Sequence, residues 1–236
     1  MRLSLVIPAF NEAARITATL KRVLEYLARQ PYTSEVIVVD DGSADNTAEV
    51  ARLAGPNIRV VSYRPNRGKG FAVRTGMMEG QGEIRLFYDA DGSTPIEEIE
   101  KLWPEFDAGA DIVIGSRMLP QSDVQIHQRW TRESAGRFFN LVLRMLGITR
   151  LTDTQCGFKA FTSKACDIVF PRQTIERFSF DAELLYIAQR HNLRIAEIPV
   201  RWINDPDSRV HPVKDSIPIL RDILHIWRYG RKGRYD

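Results

Sequence analysis

The sequence predicts an α/β fold, a single domain built on a mostly parallel, doubly wound sheet flanked by helices. Short apolar runs alternate with helical patterns through the first half, and a polar or glycine-bearing loop follows each run. A length of 236 residues with 44% hydrophobic content is enough for one large core. Such alternation calls for parallel strands joined by right-handed crossovers.

Leu3-Ser4-Leu5-Val6-Ile7 is the first strand, and Glu12 to Gln30 follows as a helix. Val36-Ile37-Val38-Val39, apolar at every position, is a buried strand, followed by a helix from Asp45 to Ala54. Ile58 to Tyr63, Ile84 to Tyr88 and Ile112-Val113-Ile114 supply three further strands, with helices at Gly70 to Glu79 and Ile96 to Phe106 between them. The second half is less regular. It has a long helical pattern from about Ser134 to Leu146, a turn-rich segment from Asp153 to Phe161, a helix near Phe180 to His191 and a strand from Ile195 to Val200.

Composition narrows the function. A net charge of +3 favours anionic ligands without demanding nucleic acid, and no basic stripe interleaved with aromatic residues is present, so nucleic acid is excluded as a partner. The two cysteines, Cys156 and Cys166, have no zinc-like companions and no signal peptide precedes them, which suggests a reduced compartment. No run reaches the length of a membrane span.

Parallel strands bring the loops that follow them to one edge, where open α/β sheets bind ligands. Those loops are Pro8-Ala9-Phe10-Asn11-Glu12, Asp40-Asp41-Gly42-Ser43, residues 64–70, Asp89-Ala90-Asp91 and Gly115-Ser116-Arg117. Asp89 and Asp91, one residue apart at the end of an apolar run, offer hard oxygen donors to a divalent cation such as Mg²⁺ or Mn²⁺, with a diphosphate completing its coordination. Alone, such a pair is more often a solvated turn. The loop after the first strand lacks Gly-x-Gly-x-x-Gly and no Walker motif occurs, which argues against hydride transfer and P-loop chemistry. A metal-bridged nucleoside diphosphate fits better, with Asp40 accepting from base or ribose.

Val6-Ile7-Pro8-Ala9-Phe10-Asn11-Glu12, Val38-Val39-Asp40-Asp41-Gly42-Ser43, Asn66-Arg67-Gly68-Lys69-Gly70 and Asp89-Ala90-Asp91 occur in this order. Together they resemble the signatures of inverting family 2 glycosyltransferases of the Rossmann-like GT-A fold. Gly115-Ser116-Arg117, residues 153–159 and Phe180-Asp181-Ala182-Glu183-Leu184-Leu185 resemble the polyprenyl-phosphate branch, closest to the dolichyl-phosphate β-glucosyltransferases. The resemblance implies a nucleotide sugar donor, UDP-glucose first, and a polyprenyl or dolichyl monophosphate acceptor. The same chemistry with GDP-mannose or UDP-N-acetylglucosamine, and a non-catalytic nucleotide-sugar-binding module, are the alternatives.

It further implies a nucleotide-binding set of Pro8, Ala9, Asn11, Glu12, Asp40, Gly68, Lys69, Asp89 and Ala90, and a metal held by Asp89 and Asp91. The acceptor-binding set is Arg117, Arg132, Gln155, Lys159, Asp181 and Arg201, and the catalytic set is Asp89, Asp91 and Arg117. Residues 1–117 become the nucleotide-sugar half of the domain, 118–212 the acceptor half, and 213–236 an amphipathic helix with a basic tail. Two departures stand out. Gly92-Ser93 replaces the Leu-Gln that commonly follows the acidic pair in mannosyl enzymes, which argues against mannose and leaves the metal's third protein ligand open. Met1 lies almost at the first strand, whereas related eukaryotic enzymes carry an N-terminal membrane helix, so membrane association is expected from elsewhere.

A phosphate monoester, with a second pKa of about 6, attacks the anomeric carbon without a strong base, leaving the protein to position and neutralise charge. Lys69 or Arg67 could assist the departing diphosphate, and Arg117, Arg132 and Arg201 could grip the acceptor, since guanidinium forks match phosphate oxygens. Each has a plainer alternative: turn and cap duty for Asp40 and Asp41, surface charge for Arg132, dipole compensation for Asp181, and simple packing for Cys156. The helical stretches Arg137 to Leu146 and Ile219 to Trp227 suit either core packing or a bilayer interface. The expectation is a protein peripheral on the cytoplasmic face of a membrane.

Overall fold

The structure is a computed structural model that describes residues 1–125, 142–177, 179–203 and 216–236. Its strands are β1 (Leu3–Ala9), β2 (Ser34–Asp40), β3 (Ile58–Ser62), β4 (Ile84–Tyr88), β5 (Ile112–Ser116), β6 (Asp123–Val124), β7 (Phe158–Thr162), β8 (Ile195–Pro199) and β9 (Arg201–Trp202). Its helices are α1 (Ala13–Leu27), α2 (Thr47–Leu53), α3 (Lys69–Glu79), α4 (Leu102–Asp107), α5 (Ser163–Val169), α6 (Phe180–Arg190) and α7 (Ser216–Arg231).

Seven strands form one sheet in the order β3-β2-β1-β4-β7-β5-β8. All pairings are parallel except those of β7, which runs antiparallel to both β4 and β5. β6 and β9 pair in a small parallel ribbon beside it. Strand alternation divides the core between the two faces. Leu3, Leu5 and Ile7 of β1 pack with α1 residues Ile16, Leu20 and Val23, whereas Val6 faces Val39, Phe87 and α3 on the other side.

Two segments differ from the sequence expectation. The turn-rich stretch from Asp153 to Phe161 ends in β7, a central strand, because Lys159 interrupts its apolar pattern yet is itself buried. The helix expected from Ile96 to Phe106 is a 3-10 helix, Ile96–Lys101, followed by α4. Pro104 explains the break. In a continuous α-helix it would lose its bond to Glu100 and clash there, whereas it now sits in the first turn of α4, where no N–H partner is needed.

Residues 126–141 lie outside the described residues, so most of the stretch from Arg137 to Leu146 does too. Of its end, residues 142–145 are helical, Leu143 is buried and Met145 is exposed. Among the described residues no helix is long and apolar enough to cross a membrane.

Candidate active site

The loops at the carboxyl edge are stitched together by side-chain to main-chain bonds. Asn11 takes a left-handed backbone (φ 51°), its N–H donates to Ser43 Oγ at 2.9 Å, and its Oδ1 accepts from Ala44 N at 2.8 Å. Glu12 N donates to Thr47 Oγ1 at 2.7 Å and Ala13 N to Asp45 Oδ2 at 3.2 Å, so α1 is capped from the neighbouring loop. Pro8 and Ala9 end β1 as buried backbone beside Val39 and Asp40.

Asp40 is buried and accepts from Ser43 N at 3.1 Å, a turn contact. Asp41 reaches across to the loop before α3, accepting from Asn66 Nδ2 at 2.7 Å and from the N–H groups of Arg67 and Gly68 at 2.8 Å each. It shapes the loop that delivers Lys69. Arg67 pairs with Glu176 and lies 3.5 Å over the Phe71 ring.

At the centre, Lys69 Nζ lies 2.5 Å from Asp89 Oδ1. Burial disfavours the Lys69 charge, but Asp89 and Asp181 outweigh it and raise the pKa, so the ammonium persists. Asp91 accepts from Ser93 N at 2.9 Å, and burial followed by the charge of Asp89 raises its pKa above the ordinary carboxylate value. Ala90 between them is buried, and its carbonyl accepts from Thr19 Oγ1 at 2.8 Å. Asp89 packs on the loop before β7, where a Cβ on Gly157 would overlap its carboxylate, and its N–H donates to Gly157 O at 3.3 Å.

Beneath this cluster lies a second pair. Lys159 is fully buried with Nζ 2.5 Å from Asp181 Oδ1 and a further bond to Cys156 O, so these two groups meet each other rather than an outside ligand. Burial raises the pKa of Asp181, against the pull of Lys159 and Lys69. Inward from the acidic pair, charges alternate through Asp89, Lys69, Asp181 and Lys159.

On the acceptor side, Arg117 forms a fork on Asp153 through Nε at 2.7 Å and Nη2 at 2.9 Å, and Trp202 lies 5.4 Å from it. Burial lowers the Arg117 pKa and Asp153 more than restores it, so the net shift is upward. Gln155 donates its N–H to Asp153 at 3.1 Å. Arg201 is exposed on β9, where alternation points it opposite to Trp202 and hence away from Arg117. Arg132 lies outside the described residues. Cys156 is buried, its thiol pushed up to about 11 by desolvation, which matches a packed residue and not a nucleophile.

The sequence places Asp41, Gly157 and Glu183 within its motifs but assigns none of them to a binding or catalytic set. Glu183 is fully buried and accepts from Thr174 N, Thr174 Oγ1, Ile175 N and the Tyr235 hydroxyl. It thereby holds the 173–176 strap, whose Glu176 carbonyl accepts from Phe71 N at 3.0 Å and whose Gln173 side chain donates to Gly70 O at 2.9 Å. The available signal was a second carboxylate, two residues after Asp181, within the otherwise apolar stretch 180–188.

The pair Asp89 and Asp91 has the donor chemistry for a hard divalent cation, two carboxylates close enough to repel and already drawing in Lys69. Among the described residues no third His, Cys, Asp or Glu joins them.

Residues 4–167 match Glycosyl transferase family 2. A dolichyl-phosphate beta-glucosyltransferase of Trichomonas vaginalis is 38% identical, over 97% of this chain and 71% of its own. The Dictyostelium discoideum and Homo sapiens proteins of that name are each 36% identical, over 96% and 95% of this chain and 74% of theirs. Among solved structures, glucosyl-3-phosphoglycerate synthase from Mycobacterium tuberculosis, in complex with Mn²⁺, UDP and glucosyl-3-phosphoglycerate, superposes with a TM-score of 0.72. That alignment covers 98% of this chain and 80% of the other at 21% identity, a likeness of fold. The mostly parallel sheet, the acidic pair at its edge and relatives aligned along nearly the whole length agree: the chain belongs to glycosyl transferase family 2, on its dolichyl-phosphate beta-glucosyltransferase branch.

Proposed function

We propose that this glycosyltransferase moves glucose from UDP-glucose to the phosphate of a dolichyl or other polyprenyl monophosphate, inverting the anomeric centre. The observation that carries the reading is the Lys69, Asp89 and Asp91 cluster at the carboxyl edge of the sheet. The names of the 36–38% identical relatives support glucose and dolichyl phosphate. Asp89 and Asp91 would hold Mg²⁺ or Mn²⁺, which supplies Lewis-acid neutralisation of a diphosphate leaving group when bound.

The chain's own residues do the rest. Lys69 stays protonated, because Asp89 and Asp181 together overcome its burial, and offers a positive group to the departing diphosphate. Asp40, with Pro8, Ala9, Asn11 and Glu12 on the adjoining loop, forms the wall for base and ribose, and Asp41 fixes the loop of Gly68 and Lys69. Arg117, held rigid by Asp153, presents the remaining edge of its guanidinium to the acceptor phosphate, with Gln155 beside it. The acceptor is ionised at neutral pH, so no general base is required and positioning carries the rate. Lys159 and Asp181 act from below, by fixing Lys69 and the base of β7. A lipid acceptor puts the working enzyme at a membrane surface, which we place on the cytoplasmic side.

The test is transfer of radiolabelled glucose from UDP-glucose into an organic-extractable product with dolichyl phosphate in detergent. Asp91→Ala and a chelator should each abolish the product, and Mn²⁺ should restore it in the chelated sample. Product from GDP-mannose or UDP-N-acetylglucosamine alone would overturn the donor assignment. Metal-dependent UDP binding with no turnover on any lipid acceptor would favour a non-catalytic binding module.

A further inference from the structure

The C-terminal helix α7 is divided lengthwise. One side is committed to the domain: Ile223 and Ile226 are buried, and a Cβ on Gly230 would overlap the Tyr186 ring. Beyond the helix, Tyr235 is fully buried with its hydroxyl 2.7 Å from Glu183 Oε1. The opposite side leaves Leu220 52% and Leu224 38% exposed among the exposed cations Arg221, Arg228, Arg231 and Lys232. Arg221, Leu224, Arg228 and Lys232 follow one another at helical spacing along a single arc. With His225 and Tyr229, whose rings are 4.0 Å apart, they line an open groove of about 360 Å³. Arg231 lies 4.7 Å over the Trp227 ring at its margin. Asp222, the helix's one acidic residue, falls off that arc.

This pattern selects among anionic partners. A single phosphate is gripped by converging donors, but Arg221 and Lys232 are eleven residues apart, about 16 Å along the axis. Cations spread over that length match a plane of phosphates. The exposed leucines between them need an apolar layer just below that plane, as a bilayer interface offers. A partner offering anionic groups alone would answer the cations and leave Leu220 and Leu224 uncovered.

We propose that this face of α7 docks on an anionic phospholipid membrane, with Arg221, Arg228, Arg231 and Lys232 among headgroup phosphates and Leu220 and Leu224 at the acyl boundary. None of the residues on this face is among those placed at the edge that carries Asp89 and Asp91, and the proposal does not rest on the transfer reaction.

The experiment is flotation of the full chain with phosphatidylcholine vesicles and with vesicles carrying about 30% phosphatidylserine. Each basic side chain at such a surface contributes about a fivefold gain in partitioning. The triple variant Arg221→Gln/Arg228→Gln/Lys232→Gln is therefore expected to lose about a hundredfold in partitioning to the anionic vesicles, with thermal unfolding unchanged. A second variant, Leu220→Ser/Leu224→Ser, should weaken binding while keeping its salt dependence. Equal binding of wild type to both vesicle types, or wild-type binding by the triple variant, overturns the proposal. So does full displacement by inorganic phosphate at matched ionic strength, which would mark a discrete phosphate site. The vesicles carry neither donor nor acceptor, so a negative result leaves the transferase reading intact, and an inactive enzyme that still floats leaves the docking surface intact.

Discussion

Replacing Lys159 with methionine strands a carboxylate inside the protein, and the cost can be worked out. Lys159 is fully buried, its Nζ is 2.5 Å from Asp181 Oδ1, and Asp181 is 5% exposed. The next cation, Lys69, is already bonded to Asp89. Without Lys159 the Asp181 carboxylate escapes its desolvation penalty by taking up a proton. At pH 7 that costs about 1.4 kcal/mol for each of about three pH units above an unfolded pKa of about 3.9, or about 4 kcal/mol. The figure falls within the about 3–5 kcal/mol lost when one partner of a buried pair is removed.

Burial already raises Asp181 in the wild type, against Lys159 and Lys69, so 4 kcal/mol is a ceiling and about 2–4 kcal/mol is expected. Above the unfolded pKa the folded variant holds more protons than its unfolded chain, so its stability falls as pH rises and the deficit shrinks on acidification to pH 5. Urea unfolding by circular dichroism at pH 5, 6 and 7 measures this. The double variant Lys159→Met/Asp181→Asn, which leaves no charge behind, should recover most of the loss at pH 7. A deficit below about 1 kcal/mol at pH 7, or one that is flat between pH 5 and 7, refutes the reasoning.

Burial alone would raise the pKa of Asp153, but the Arg117 charge and hydrogen bonds reverse this and hold it at about 2. Its contribution of about 2 kcal/mol is therefore fully present above about pH 4 and lost as pH falls towards 2. The stability gap between wild type and Asp153→Asn should close over that window in acid unfolding. Gly157→Ala places a methyl group where the Asp89 carboxylate sits, so UDP affinity in Mn²⁺ should drop at least about tenfold by calorimetry while the fold persists. Wild-type affinity would contradict the packing described. Tyr235→Phe removes one of the donors to buried Glu183, at a cost of about 1–2 kcal/mol. By differential scanning fluorimetry that lowers the melting temperature by about 3–6 °C, and an unchanged melting point would mean the hydroxyl contributes nothing.

The elements nearest the site were legible because local pattern fixes them. β4 runs from Ile84 to Tyr88 as its apolar run indicates, and the acidic pair follows at once. β7 was not legible, since Lys159 in its middle is tolerated only by Asp181, 22 residues further along the chain. Asp40 and Asp41 look alike in sequence, yet only Asp41 turns towards Arg67 and Gly68, more than 25 residues on. The Arg117 fork depends on Asp153, 36 residues away. Periodicity reports which face of an element is apolar; it carries no record of which distant charge will meet which.

The antiparallel insertion of β7 has a consequence for how the molecule comes to exist. β4, which bears the acidic pair, touches β5 only through β7, a strand that follows β5 in the chain by more than forty residues. Until residue 162 has been made and threaded into place, β4 and β5 each present an open seam of unpaired main-chain groups in the middle of the sheet. A fragment ending at residue 117 would carry every donor-side group named above and still lack the rib that keeps them in line. Assembly of the catalytic edge is therefore a late event of synthesis, and severed halves of the chain should regain it only by folding together.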